Sequence, residues 1–174
     1  QINQFSSIDD NVKAFYATAS YNWKPYTLET QTYQTNNGQI SNSDGKAYAI
    51  NLMADFDKLS LGVAYSTIDD EASIVSGLGN GADYLYTASW IYGGVYSADT
   101  DAYKLSTGYD ITTDLSFDVI YASWKTADAP RASETDFVTT YAFNKNLSTT
   151  FVLATYDKLA DESYRSRLYA SYKF

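Results

Sequence analysis

Leu168-Tyr169-Ala170-Ser171-Tyr172-Lys173-Phe174 closes the sequence, and its character alternates strictly. Successive side chains of a strand point to opposite faces. Every second residue therefore puts Phe174, Tyr172, Ala170 and Leu168 on one side, and Lys173, Ser171, Tyr169, Arg167 and Arg165 on the other. The first face suits lipid and the second suits water. That division predicts an all-β fold, an antiparallel transmembrane β-barrel.

The same alternation recurs upstream, each time behind a short polar turn. Asp57-Lys58-Leu59-Ser60-Leu61-Gly62-Val63-Ala64-Tyr65 matches Thr113-Asp114-Leu115-Ser116-Phe117-Asp118-Val119-Ile120-Tyr121. A third copy starts at Lys145-Asn146-Leu147-Ser148-Thr149 and continues to Phe151 and Leu153; a weaker fourth runs from Asp10 to Tyr16. Each is a tight turn feeding a strand. Alternating stretches also run into these turns, from Ala47 to Phe56, Ala102 to Ile111 and Asp136 to Phe143.

These signals predict eight strands, about 11–23, 46–56, 59–68, 101–111, 115–125, 136–143, 147–157 and 165–174, within one barrel domain or barrel segment over residues 1–174. The tight connections are Asp57-Lys58, Thr112 to Asp114 and Asn144 to Asn146. The long ones are Lys24 to Lys46, Asp69 to Thr100, Lys125 to Thr135 and Lys158 to Tyr164. Short turns at one end and long loops at the other is the asymmetry of bacterial outer-membrane barrels. It places both ends of the chain on the periplasmic side. In the first strand two parities compete, and Phe15, Tyr21 and Trp23 are read as its lipid face.

Composition agrees. Of 174 residues 17% are aromatic, with 18 Tyr against 8 Phe and 3 Trp, and Tyr is the aromatic that tolerates one apolar side and one wet end. A soluble β-sandwich is the competing reading on composition alone. Mean hydropathy is only −0.34, as expected where apolar residues are needed only at alternate positions. No run of about 18 apolar residues suggests a transmembrane helix. No signal-peptide pattern opens the sequence at Gln1, which fits a mature form or a piece of one.

With no Cys and no His, disulfides, the usual zinc sites and Cys or His nucleophiles are excluded. A Ser-His catalytic arrangement is excluded too, and no enzyme is read here. Asp161-Glu162-Ser163 reads as a hairpin loop. Gly77, Gly79 and Gly81 lack the strand-to-helix context of a phosphate loop. A net charge of −9 with 12 Lys and Arg spread along the chain argues against nucleic acid as a partner.

Charges inside strands must avoid hydrocarbon, where each costs roughly 2–4 kcal/mol near mid-bilayer. Asp55, Lys104, Asp110, Asp118, Arg165, Arg167 and Lys173 all take the inward parity, which makes them candidate pore-lining residues. Two readings of them stand: a transverse field acting on solutes, or lumen salt bridges without that role. Asp69, Asp70 and Glu71, with Asp83, Asp99 and Asp101, read first as a solvated surface loop. A cation-attracting vestibule is the second reading and a calcium site at Asp69, Asp70 and Glu71 the third.

A family resemblance rests on Ala82-Asp83-Tyr84-Leu85-Tyr86-Thr87 with Trp90, Asp101-Ala102-Tyr103-Lys104-Leu105-Ser106-Thr107-Gly108-Tyr109, Tyr121-Ala122-Ser123-Trp124 and Tyr169-Ala170-Ser171-Tyr172-Lys173-Phe174. In these the chain resembles the C-terminal portion of the major outer-membrane porins of epsilonproteobacteria, and more distantly the 18-stranded substrate-channel porins. The resemblance implies passive diffusion of small hydrophilic solutes and ions, a homotrimer, contact with outer-membrane lipid and lipopolysaccharide, and bound calcium as cofactor. The terminal strand also resembles the signal read by the barrel-assembly machinery at Arg167, Tyr172 and Phe174, with Tyr169 standing where glycine is usual. Such porins are about twice this length, so the chain is read either as the last eight strands of a 16–18-stranded porin or as a complete eight-stranded barrel. The second would be structural or adhesive and pore-free, because eight strands enclose a lumen only wide enough for side chains. A barrel rather than a sandwich predicts heat-modifiable mobility: the intact protein should run differently on gels when unboiled, and identical migration would count against a barrel.

Overall fold

Alternation becomes structure through backbone pairing. In a computed structural model the chain is described over residues 2–6, 12–37, 44–75, 85–91, 96–158 and 163–174. Ten strands form one sheet: β1 Ile2–Ser6, β2 Val12–Trp23, β3 Tyr26–Asn37, β4 Asp44–Phe56, β5 Leu59–Ile68, β6 Thr100–Asp110, β7 Leu115–Thr126, β8 Ala132–Ala142, β9 Leu147–Asp157 and β10 Tyr164–Tyr172. They lie in chain order, each antiparallel to the next. Among the described residues no ladder joins β1 to β10.

The expected count of eight is corrected to ten. The stretch Lys24 to Lys46, read as a long loop, holds β3, which pairs along its length with β2, from Trp23↔Tyr26 to Val12↔Asn37. Its sequence Tyr26-Thr-Leu-Glu-Thr-Gln-Thr-Tyr-Gln-Thr carries Thr or Gln on both faces, so no apolar alternation marks it. The added β1 pairs Ile2 to Ser6 with Ala17 to Lys13. The β2–β3 connection is therefore the tight Lys24-Pro25 turn, at the same end as Asp57-Lys58 and the turns at 111–114 and 143–146. At the other end the connections span 7–11, 38–43, 69–99, 127–131 and 158–163, so only one of them is long. The expected long loop from Lys125 to Thr135 shrinks because β7 and β8 run on to Thr126 and back to Ala132.

One face of the sheet is an apolar band. Tyr48, Ile50, Leu52 and Phe56 stand beside Leu59, Leu61, Val63 and Tyr65, followed by Leu105 and Tyr109, Phe117, Phe137, Phe151, and Leu168 and Tyr172, all exposed. Phe15, Tyr21 and Trp23 share this face in β2, whereas Ala14 is buried on the other. A soluble sheet of this length would bury such a surface. Here it has the content of a lipid-facing belt. At the tight-turn end aromatics cluster, with Tyr21 and Trp23 stacked at 5.5 Å, Trp23 and Tyr26 at 5.8 Å, and Tyr141 edge-on to Phe143 at 4.9 Å. These rings suit the interfacial depth where one edge is apolar and the other wet.

The packed core lies on the opposite, concave face. Ala14, Tyr33, Ala47 and Ile68 from β2 to β5 surround Ile74 and Leu85 of the 69–99 connection, all buried. Burying two such side chains contributes about 1.5–3 kcal/mol each, so this connection is held against the sheet instead of standing out in solvent. Replacing Leu105, outward between Val63 and Tyr121, by Arg should destabilise the protein by about 2–4 kcal/mol in equilibrium unfolding from lipid vesicles; an unchanged unfolding midpoint would show that this face does not meet hydrocarbon.

Candidate functional site: a passage under an inward-folded loop

The 69–99 connection enters through a close backbone approach. A Cβ on Gly45 would sit 2.6 Å from the Ser73 carbonyl oxygen and 2.9 Å from that of Ala72. Only glycine lets the loop cross β4 this closely. The entry is then tied down: Tyr33 Oη donates to the Val75 carbonyl (2.8 Å) and the Val75 N–H donates to Thr35 Oγ1 (3.0 Å). The Ile74 N–H donates to the Tyr96 carbonyl (2.8 Å), and the Asp99 N–H to that of Asp69 (2.8 Å), closing the loop's base.

Residues 85–91 cross the concave face. On the near side the Tyr86 N–H donates to Gln31 Oε1 (3.2 Å), and the Thr87 and Ser66 hydroxyls lie 2.6 Å apart. Ala88 turns back on Leu85 through an N–H to carbonyl bond of 2.9 Å. On the far side the Trp90 N–H donates to Asp136 Oδ2 (3.0 Å) and the Ile91 N–H to Glu134 Oε1 (2.9 Å), both on β8. The Trp90 ring lies 5.8 Å from that of Tyr169 on β10.

This crossing fixes the shape of the sheet. From β3 to β10 is seven strand steps, roughly 34 Å on a flat sheet at about 4.8 Å per strand. The chain from Tyr86 to Trp90 spans at most about 14 Å. Strand side chains stand perpendicular to the sheet, so they cannot close that gap sideways. The sheet is therefore curled into a trough with the loop as its crossbar.

Beneath the crossbar lies a cavity of about 520 Å³, lined by Ala88, Ser89, Trp90 and Ile91 of the loop and by Lys104, Ile120, Arg167 and Tyr169 of the wall. Two cations, Lys104 and Arg167, thus line the cavity together with two aromatic rings, Trp90 and Tyr169. Arg167 Nη1 donates to Tyr169 Oη at 3.3 Å. The acids whose charge acts on Lys104 are Asp136 and Glu29. Glu29 accepts from Asn51 Nδ2 at 2.9 Å. Burial, and then the charge of Glu29, pushes the Tyr86 phenol up to about 12, so it stays neutral at physiological pH.

Of the seven residues read as pore-lining, six lie on the inner parity of their strands, and Lys173 follows the end of β10. Lys104 and Arg167 meet at the cavity. Asp55, Asp118 and Arg167 share one cross-strand row, running Asp55↔Ser60↔Gly108↔Asp118↔Val138↔Val152↔Arg167. Asp110 acts electrostatically on Asp118. Arg165 lies one inward position further, in the row of Asp136 and Ala154. Lys173 is not brought to the cavity; its N–H donates to the Asn146 carbonyl at the turn end (2.9 Å).

In the acidic stretch Asp70 and Glu71 are exposed and Asp69 is half-buried. Asp69 Oδ1 accepts the Lys46 N–H (3.2 Å) and Glu71 pairs with Lys46 Nζ at 3.7 Å. Among the described residues no three His, Cys, Asp or Glu side chains converge as metal ligands would. Gly77, Gly79, Gly81, Asp83, Asp161 and Glu162 lie outside the described residues. Glu134, Asp136, Glu29 and Gln31 escaped the sequence reading. The signal is there in part, since Glu134 and Asp136 are two apart in a β-prone stretch, but the sequence pattern places a strand only from Asp136 and puts Glu134 in the loop before it.

No protein-family model matches the chain, and no curated protein matches it. Solved structures do. Acinetobacter baumannii OccAB4 is 18% identical, over 95% of this chain and 46% of that one, with a TM-score of 0.71. Pseudomonas aeruginosa OccK5 (OpdH) is 15% identical over 97% and 52%, with a TM-score of 0.73. Pseudomonas aeruginosa OccK8 (OprE) is 20% identical over 95% and 52%, with a TM-score of 0.72. The fold is thus that of outer-membrane β-barrel porins. The chain spans about half the length of these solved structures.

Two cations beside an exposed Trp90 predict that iodide quenches its fluorescence more strongly than caesium, measured as the difference between wild type and Trp90→Phe. Equal quenching by the two ions would mean the ring does not share a cavity with Lys104 and Arg167.

Proposed function

We propose that the chain supplies about half the wall of an outer-membrane channel that passes small hydrophilic solutes and ions by passive diffusion, narrowed by the 69–99 loop. The observation that carries this reading is the open cavity between loop and wall, lined by Lys104 and Arg167 and facing Trp90. A barrel with only a structural or adhesive role would fill that space with side chains. The remaining wall would come from strands outside these 174 residues, because the edges of β1 and β10 cannot meet lipid with their N–H and C=O groups unpaired. In this reading the tight turns face the periplasm and the 69–99 end faces outward. The full protein assembles as a homotrimer among lipopolysaccharide, after recognition of Arg167, Tyr172 and Phe174 by the assembly machinery.

Arg167 on β10 and Lys104 on β6, with Asp55 on β4, Asp110 on β6 and Asp118 on β7, supply the field that orients a solute as it passes. The cations are the charges nearest the cavity, so anions are favoured there. In planar bilayers under a salt gradient the full-length protein should show a reversal potential that moves toward cation preference in Arg167→Ala. An unchanged reversal potential would reduce these charges to wall salt bridges, and absence of any conductance would overturn the channel reading.

A further inference from the structure

The loop has two unlike attachments. Toward β3 to β5 it is held by packing as well as hydrogen bonds, through Ile74, Leu85, Val75, Tyr86 and Thr87. Toward β8 it is held at consecutive amides, Trp90 to Asp136 and Ile91 to Glu134. Both carboxylates are wholly buried, at 0% exposure. A buried carboxylate costs several kcal/mol unless it is hydrogen-bonded or paired, and here the loop backbone supplies donors. Two backbone hydrogen bonds to buried acceptors, made at consecutive residues, fix a short segment.

The fixed segment is also the roof of the cavity: Ala88, Ser89, Trp90 and Ile91 line it opposite Lys104 and Arg167. Thr87 is the last residue bonded on the β3 to β5 side, and it lies within the Leu85–Ala88 turn that leads into this segment. We propose that Glu134 and Asp136 are positioning residues that set the width of the passage: they latch residues 88–91 to β8, and loss of the latch lets this segment swing about Thr87 while the β3 side stays fixed. The proposal deepens the channel reading above and rests on it for its effect on conduction. The latch itself is a matter of hydrogen bonds and can be measured without conduction.

The test uses the full-length protein, carrying Glu134→Ala with Asp136→Ala, or Glu134→Gln with Asp136→Asn. The second pair keeps a carbonyl oxygen as acceptor at each position. Residue-resolved amide exchange in the alanine pair should speed up roughly 10-fold or more at Trp90 and Ile91, with Val75 and Tyr86 unchanged, and the amide pair should restore most of the protection. Single-channel conductance should rise by about twofold in the alanine pair, as expected for a widened constriction, and return toward wild type in the amide pair.

Unchanged exchange at Trp90 and Ile91 would overturn the latch. So would equal acceleration at Val75 and Tyr86, which would mean general loosening. Local release without a change in conductance would overturn the control of width. Should the wild type fail to conduct, the channel reading falls and the exchange pattern still decides whether the latch exists. A heat-modifiable shift on gels confirms that each variant has formed its barrel.

Discussion

A backbone crossing hydrocarbon has no water to bond, and every peptide N–H and C=O must find a partner inside the protein. The ten-strand meander of this chain is one of the few ways to meet that demand, since each strand from β2 to β9 pairs with a neighbour on both sides. The tight turns follow, because antiparallel neighbours can be joined by two residues. So does the clean division of faces, because a strand that pairs along its length presents alternate side chains outward and inward. Leu105, with Val63 and Tyr121 beside it, and Lys104, turned the other way toward the cavity, are adjacent residues with opposite surroundings for this reason.

The same constraint shapes the interior. A loop folded into a trough carries its own unpaired amides, and those too must be satisfied once the loop leaves bulk water. The inner wall meets them one by one: Thr35 for Val75, Gln31 for Tyr86, Asp136 for Trp90, Glu134 for Ile91. Polar residues on the inner face thus act as acceptors for the loop as well as facing the lumen. This accounts for Gln31 and Thr35 on the inner face of β3. Its Gln31 and Thr35 are buried, beside the equally buried Tyr33, and all three are bonded to the loop.

Much of the fold was legible in the sequence. The strand starting at Leu59, the one starting at Leu115 and the terminal strand from Leu168 declare themselves by alternation and by the polar turn before them. Their faces are as expected, with Leu61, Val63, Phe117 and Tyr172 outward. What escaped were the strands without apolar alternation. β3 puts polar residues on both sides, because its inner face meets a loop and its outer face carries Thr30 and Thr32 beside Ile50 and Tyr48. Of the site, Lys104 and Arg167 were legible from parity alone, whereas the latch on β8 was not, since Glu134 and Asp136 have their partners more than forty residues away.

By itself the sequence determined the period-two pattern, and with it the class of fold, the positions of the tight turns and the side of the sheet on which each charge lies. These are local properties: a residue's parity depends only on its neighbours in the strand. The tertiary structure alone decided that the 69–99 connection turns inward, that the sheet curls into a trough beneath it, and that Trp90 meets Tyr169 above Lys104 and Arg167. Those outcomes depend on single hydrogen bonds and packing contacts between distant segments, and no spacing along the chain encodes them.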